Sequence, residues 1–367
     1  MANTHLTQAK NTKNDEFYTQ YHDIEKEINV YLEYNPDVFK DKTILLPCDD
    51  PEWSNFTKYF AQNFKKFKLK KLISTSYAVE SKTYKDGYQM TLFEKRSPNF
   101  DKKKTRIKGK IFTLTKDKTG DGRIDIDDLD WKYMEGGGDF RSEEVKKLRD
   151  ETDIIITNPP FSLFKEFLAW IVKAKKQFLI LGNMNAITYK EVFPLIKENK
   201  MWLGVISGAR TYIKPDKTEQ TMGNTCWFTN LEHGRRHQPL PLMTEAEVIK
   251  FVTKKQFEKY DNYDAIEVSL VKNIPSDYKG VMGVPISFLD KYNPKQFEIV
   301  GMCENGDLYK LKTKIYTTAE CKKAYLEKFD KSGTYDLNAS GVITKGHIQE
   351  KVYQRILIKH KRIKSKK

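Results

Sequence analysis

The sequence predicts an α/β protein built on an open, mostly parallel sheet flanked by helices, and three observations carry that expectation. Short apolar runs, such as residues 43–46 and 153–157, read as buried strands. Amphipathic segments with helical spacing lie between them, and the order strand, turn, helix, strand repeats along the first 230 residues.

In chain order, Tyr21, Ile24, Ile28, Tyr31 and Leu32 mark one face of a helix that Asn35-Pro36 ends. Residues 43–46 form a first strand running into Pro47-Cys48-Asp49-Asp50-Pro51. Phe56, Tyr59, Phe60 and Phe64 then mark a helix face, and residues 72–76 a second strand. Residues 80–130 interrupt the rhythm. There, 88–93 and 110–115 alternate as antiparallel strands, joined by the basic stretch 102–106, which predicts an inserted β-hairpin. The α/β order resumes with the strand 153–157, a helix over 162–173, a strand at 178–181, a helix near 190–198 and a strand at 203–206. A further strand pair is expected near 225–228.

After Leu231 the pattern changes, and a stretch with Pro239 and Pro241 marks a boundary between a domain over 1–230 and a region over 231–367. The last 17 residues hold eight Lys or Arg and no acid, which reads as a backbone-binding arm or a disordered, solubilising end.

With 367 residues the chain is long enough for a large core without disulfide staples. Its 65 basic and 50 acidic residues give a net charge of +15, which favours a polyanionic partner and disfavours an acidic-surfaced metabolic enzyme. At 39% hydrophobic and 13% aromatic residues it is not a disordered polycation. The four cysteines, Cys48, Cys226, Cys303 and Cys321, are far apart and without metal-ligand spacing, so a zinc site and a disulfide framework are both disfavoured. No apolar run reaches the roughly 18 residues of a membrane span, and no signal peptide opens the chain, so the expectation is a cytoplasmic protein.

The most informative tetrapeptide is Asn158-Pro159-Pro160-Phe161, at the carboxyl end of a buried strand, where open α/β sheets bind ligands. Two prolines fix the backbone. The Asn158 side-chain oxygen and the Pro159 carbonyl can accept both hydrogens of an amino group while Phe161 covers a flat ring. That arrangement suits methylation of an exocyclic amine, and the amide cannot serve as a general base. A Pro-Pro turn opening a helix is the bland alternative, and such a pattern arises by chance in roughly one or two chains per hundred of this length.

Longer strings point the same way. Asp15-Glu16-Phe17-Tyr18-Thr19-Gln20, Cys48-Asp49-Asp50-Pro51 with Ser54-Asn55-Phe56, Gly138-Asp139-Phe140-Arg141-Ser142, Gly223-Asn224-Thr225 with Trp227-Phe228-Thr229-Asn230, and Tyr353-Gln354-Arg355-Ile356-Leu357-Ile358 are similar to the EcoRI-type adenine-specific DNA methyltransferases. The resemblance implies a class I, Rossmann-like fold with the hairpin insertion and a C-terminal target-recognition region. It also implies S-adenosyl-L-methionine as cofactor and N6 of adenine in double-stranded DNA as substrate, with Asn158, Pro159, Pro160 and Phe161 catalytic. Phe17, Tyr18, Thr19, Cys48, Asp49, Asp50, Asp139, Phe140 and Asn158 would contact the cofactor, within a monomer that has or lacks a cognate restriction endonuclease.

On physical grounds Thr19 could instead cap a helix beginning at Gln20. Asp139 follows Gly136, Gly137 and Gly138 and stands nineteen residues before Asn158, as adjacent strands require; its carboxylate would accept from an adenine amino group while Phe140 packs the ring. Asp49-Asp50-Pro51 replaces the glycines usual after the first strand, and either carboxylate could meet the cofactor's ammonium. No acid follows residues 72–76, so ribose recognition has no assigned residue. Residues 117–128 match a calcium-loop spacing with Asp at the last position, an acidic hairpin turn being the alternative. Methylation of RNA or of a protein glutamine amide, and non-catalytic DNA binding on the same fold, are the competing readings.

Overall fold

The computed structural model describes residues 18–47, 49–51, 54–78, 100–213 and 218–361, with Lys102 described by its backbone alone. The chain divides into two compact units, Met1–Gly234 and Arg235–Lys367.

In the first unit, α1 (Tyr21–Tyr34) buries Ile24, Ile28 and Tyr31 at helical spacing, with Glu27 among them. It starts after Gln20, which makes no side-chain cap, so the Thr19 hydroxyl is not spent on capping the helix. Next come β1 (Thr43–Leu46), α2 (Asn55–Gln62) and β2 (Lys71–Ser76). The Ser54 side chain caps α2 by accepting from Phe56 N, and Phe56, Tyr59 and Phe60 form its buried face.

The expected hairpin is replaced by a different arrangement. Residues 102–106 belong to a helix, α3 (Lys102–Ile107), because the Asp101 carboxylate accepts from the backbone of Lys103 and Lys104 and so turns a basic run into a capped helix. The strand β3 (Lys110–Leu114) pairs antiparallel with β2 on one side and with β4 (Asp130–Tyr133) on the other. Both of its edges are thereby taken, and residues 88–93 lie outside the described residues.

After α4 (Glu143–Asp150) follow β5 (Ile154–Thr157), a 3₁₀ turn at Phe161–Leu163 leading into α5 (Phe164–Lys173), β6 (Gln177–Asn183) and α6 (Phe193–Lys197). A long antiparallel pair, β7 (Trp202–Ile213) and β8 (Glu219–Thr229), closes the unit.

The eight strands form one sheet in the order β4-β3-β2-β1-β5-β6-β8-β7. Only β3 and β8 run against the rest. The central strands β1 and β5 are buried throughout, which is why they read as unbroken apolar runs. From β1 the chain crosses to β2 on one side, and β5 lies on the other. The carboxyl ends of β1 and β5 therefore flank a topological switch point, where open α/β sheets place their ligands.

In the second unit, α7 (Glu245–Val248) precedes a mixed four-stranded sheet of β9 (Ala265–Glu267), β10 (Val281–Pro285), β11 (Phe297–Met302) and, beyond α8 (Thr318–Phe329) and the β12–β13 hairpin (Val342–Lys345, Ile348–Lys351), β14 (Arg355–His360). The strand β14 lies between β11 and β10, so Arg355 and Lys359 of the basic C-terminal stretch belong to a sheet, while residues 362–367 lie outside the described residues. Its Arg355 is buried, and its guanidinium donates to Glu267 from Nε (3.1 Å) and Nη2 (2.7 Å), while the Tyr260 hydroxyl donates to the same carboxylate. The Tyr260 ring fits because Gly283 and Gly341 stand against it; a Cβ at Gly341 would lie 2.5 Å from Cε1 of the ring.

Candidate active site

The segment after β1 is built around a buried carboxylate. Asp49 accepts from the Ser54 hydroxyl at 2.6 Å through Oδ1 and from the Thr157 hydroxyl through Oδ2. Its carbonyl accepts from Thr57 (3.0 Å) and from Ser74. Thr157 also lies 2.7 Å from the Pro47 carbonyl. Asp49 thus ties the β1 loop to the start of α2, to β2 and to the last residue of β5. Asp50, partly exposed on the same loop, accepts from Ser54 N at 2.7 Å through its carbonyl, which leads the chain into α2.

Thr157 is the residue before Asn158, so this lock sets where the tetrapeptide begins. Asn158 is partly exposed, Pro159 buried and Pro160 partly exposed; the Pro160 carbonyl accepts from Leu163 N at 2.9 Å to open the 3₁₀ turn. Phe161 retains 9% exposure and meets the Tyr212 ring edge-on, centroids 6.4 Å apart at 90°.

The N-terminal segment reaches the same end of the sheet. Tyr18 exchanges two backbone hydrogen bonds with Ile213 at the end of β7, and the Asn55 amide donates to the Thr19 carbonyl at 2.8 Å. Thr19 is 2% exposed, and its hydroxyl has no hydrogen-bond partner among the described residues. A buried hydroxyl in that state suits a ligand group.

Asp139 is seated by glycine. Gly138 adopts φ +89°, and a Cβ there would lie 2.4 Å from the Ser76 carbonyl, so only glycine lets this loop press against the end of β2. The Asp139 carboxylate accepts from Arg141 N (2.8 Å), Nε (2.9 Å) and Nη2 (2.6 Å), and Arg141 also reaches Glu166 of α5 at 3.2 Å. Partial burial alone would push the Asp139 carboxyl up, but the Arg141 hydrogen bonds and charge overcome it and hold the group below its ordinary value. The two oxygens keep acceptor capacity for an amino group. The Phe140 ring, by contrast, is enclosed by Phe167 (5.1 Å) and Trp170 (5.7 Å), so it anchors the loop to α5 instead of offering a face for stacking.

The structure therefore gathers Tyr18, Thr19, Asp49, Asp50 and Asn158–Phe161 around the switch point through direct contacts, and holds Asp139 against α5. Phe17 and Cys48 lie outside the described residues. The sequence reading missed the partners that make the site rigid: Thr157, Ser54, Asn55 and Tyr212. Ser54 and Asn55 stand in the string that follows Cys48-Asp49-Asp50-Pro51, and Thr157 closes the strand 153–157, but nothing in the sequence assigns any of them this role. A cleft of about 440 Å³ beside α4 and α5, lined in part by Arg141, Glu166 and Trp170, touches none of Thr19, Asn158 or Phe161.

The calcium-like loop satisfies itself. Asp128 accepts from the backbone of Lys118 (2.8 Å), Thr119 (2.9 Å) and Asp125 (3.0 Å), and Asp117 from Gly120 (2.7 Å) and Gly122 (2.9 Å). Among the described residues no group of three or more His, Cys, Asp or Glu could hold a metal ion, and no helix is long and apolar enough to cross a membrane. Cys226, Cys303 and Cys321 are buried free thiols.

The comparison with protein families decides what this geometry serves: residues 5–361 match the model described as Adenine-specific methyltransferase EcoRI. The chain belongs to the EcoRI family of adenine-specific methyltransferases. Among curated relatives it is similar to the Type II methyltransferase M.EcoRI of Escherichia coli, 44% identical over 312 residues, covering 80% of this chain and 88% of that one. It is also similar to M.MgeORF184P of Mycoplasma genitalium, 35% identical over 322 residues (82% and 87% covered), and to M.MpnI of Mycoplasma pneumoniae, 35% over 332 residues (85% and 90%). No solved structure matches the chain. The EcoRI-family match spans both units and every site residue named above.

Proposed function

We propose that this adenine-specific methyltransferase modifies N6 of an adenine at a specific sequence in double-stranded DNA, with S-adenosyl-L-methionine as methyl donor. The observation that carries the reading is the convergence, at the β1/β5 switch point, of the Asn158–Phe161 segment with a buried Thr19 hydroxyl that has no partner among the described residues.

The Thr19 hydroxyl and the Asp50 carboxylate hold the amino-acid end of the donor, and Asp139 receives its adenine amino group. When bound, S-adenosyl-L-methionine supplies a methyl group on a positively charged sulfur, open to direct attack. The target adenine is paired inside the duplex and must be flipped out to be reached. Asn158 Oδ1 and the Pro159 carbonyl then accept its two amino hydrogens, which draws the nitrogen toward tetrahedral geometry and exposes its lone pair. Phe161 lies against the base. As the new N–C bond forms, the methyl–sulfur bond would break with its electron pair left on sulfur, so that the donor leaves as a neutral thioether; because neither acceptor is a base, the proton departs to solvent, and no covalent enzyme intermediate arises.

Asp49 acts at one remove: with both oxygens engaged by Ser54 and Thr157, it positions the Asn158 backbone and leaves Asp50 to meet the ligand. The second unit reads the sequence of the duplex, and exposed basic residues, among them Lys103, Lys104 and Arg106 of α3, add salt-dependent attraction to phosphates. The enzyme acts in the cytoplasm as a monomer, with a cognate endonuclease in a restriction–modification pair.

The Asn158→Ala variant should bind S-adenosyl-L-methionine with unchanged affinity while turnover falls by about 10²–10³. Near-normal turnover would remove Asn158 from the acceptor role.

A further inference from the structure

One strand end serves two of the segments that converge on the site. Through Ile213, β7 fastens Tyr18 and so the Thr19 hydroxyl; through Tyr212, it faces the Phe161 ring. Arg210 and Tyr212, two residues apart, project to the same face of β7 and are 6% and 0% exposed.

Their anchorage is specific. Tyr212 is wholly buried, and on the paired strand Thr225 donates to the Gly208 carbonyl at 2.9 Å, which ties β8 to β7 at the irregular stretch. Arg210 donates to the Ile206 carbonyl at 2.5 Å and lies over the Trp227 ring at 5.7 Å. Glu27, wholly buried in α1, accepts from Val205 N (2.9 Å), Ile206 N (2.8 Å) and the Tyr31 hydroxyl (2.9 Å). It fits only because Gly204 lacks a Cβ, which would stand 2.1 Å from Glu27 Oε1. The β7 backbone departs from regular pairing between Leu203 and Ser207 and again between Gly208 and Arg210. Such irregularities re-aim side chains. Here they bring Arg210 and Tyr212 over the interior.

We infer that Tyr212 is a positioning residue for methyl transfer: wholly buried near the end of β7 and set edge-on to Phe161, its ring fixes the tilt of Phe161 and hence the plane of the flipped base relative to the donor. This inference rests on the reading of Phe161 as the ring that covers the base. A Phe161 free to tilt would leave the pocket chemically complete and geometrically loose. A misplacement of about 1 Å is enough to cost on the order of a hundredfold in rate.

The test measures single-turnover methyl transfer, DNA KM and donor binding for Phe161→Ala, Tyr212→Leu, Tyr212→Phe and the Phe161→Ala/Tyr212→Leu double variant, on a duplex carrying a site found by sequencing DNA that the enzyme has modified. Tyr212→Leu should slow the transfer step at least tenfold with donor affinity and DNA KM within about twofold of the parent. Tyr212→Phe, which keeps the ring, should recover most of that loss, and the double variant should be no slower than Phe161→Ala alone. If Phe161→Ala transfers at the parent rate, the stacking reading fails. If Phe161→Ala is slow while Tyr212→Leu is not, or if their effects multiply, the positioning inference is overturned and the stacking reading stands. Should Tyr212→Leu not fold, Tyr212→Met, which fills similar space without a ring, decides: an unchanged transfer rate overturns the inference, and a drop of at least threefold with unchanged DNA KM supports it.

Discussion

Two buried polar clusters, one in each unit, are built from similar side chains and differ in what they leave unfinished. In the second unit, Glu267, Arg355 and Tyr260 close on one another: the guanidinium meets the carboxylate through two nitrogens, and the phenol donates to the same group. In the first unit, Asp49, Ser54, Thr57, Ser74 and Thr157 form an equally dense lock, yet its surroundings stay open. The Thr19 hydroxyl is buried without a partner among the described residues, and Asp50 and Asn158 are partly exposed. A closed cluster specifies a fold, whereas an incomplete one at a sheet's switch point is shaped for a ligand.

That contrast can be broken most forcefully at Arg355. Arg355→Met leaves Glu267 buried without its cation and should destabilise the second unit by about 3–5 kcal/mol in denaturant unfolding. Donor binding, a property of the first unit, should stay within about twofold of the parent. Next in size is the division of labour between adjacent aspartates. Asp50→Ala should weaken S-adenosyl-L-methionine binding by roughly ten- to a hundredfold in calorimetry, the loss of one charged hydrogen bond, with stability retained. Asp49→Ala should do the reverse in kind, lowering stability by about 1–3 kcal/mol because the buried Ser54 hydroxyl loses its acceptor and the carboxylate link to Thr157 is cut. The smallest effect is the sharpest. Thr19→Val removes a hydroxyl with no partner among the described residues, so the unfolding midpoint should not fall, while donor affinity drops about fivefold, or about 1 kcal/mol. A stability loss with unchanged affinity would mean that Thr19 is structural.

The parts of this arrangement that were legible in the sequence are local. The strands β1 and β5 appear as apolar runs because both faces are covered, and Asn158–Phe161 is contiguous, so its chemistry can be read without knowing the fold. The locks are not local: Asp49 and Thr157 are 108 residues apart, and neither spacing nor composition joins them. The strand β7 was legible only to Ile206, because the irregular pairing around Ser207 and Gly208 breaks its alternation before Arg210 and Tyr212 are reached.

Charge misled in two places. Residues 102–106 look like a basic loop tip until Asp101 is seen capping them, and β14 looks like a tail although Ile356 and Ile358 are fully buried between β11 and β10. Part of the +15 is likewise engaged within the fold: Arg355 pairs with Glu267, Lys359 with Glu298, and Arg236 is buried. Phosphate attraction therefore falls to the exposed lysines and arginines elsewhere.

The most direct measurement supplies the purified enzyme with S-adenosyl-L-methionine labelled in its methyl group and with unmethylated duplex DNA, then digests the DNA to nucleosides. The expected result is label in N6-methyl-2′-deoxyadenosine, confined to one sequence context and lost in Asn158→Ala. Label in N4-methylcytosine, or in RNA or protein but not in DNA, would contradict it.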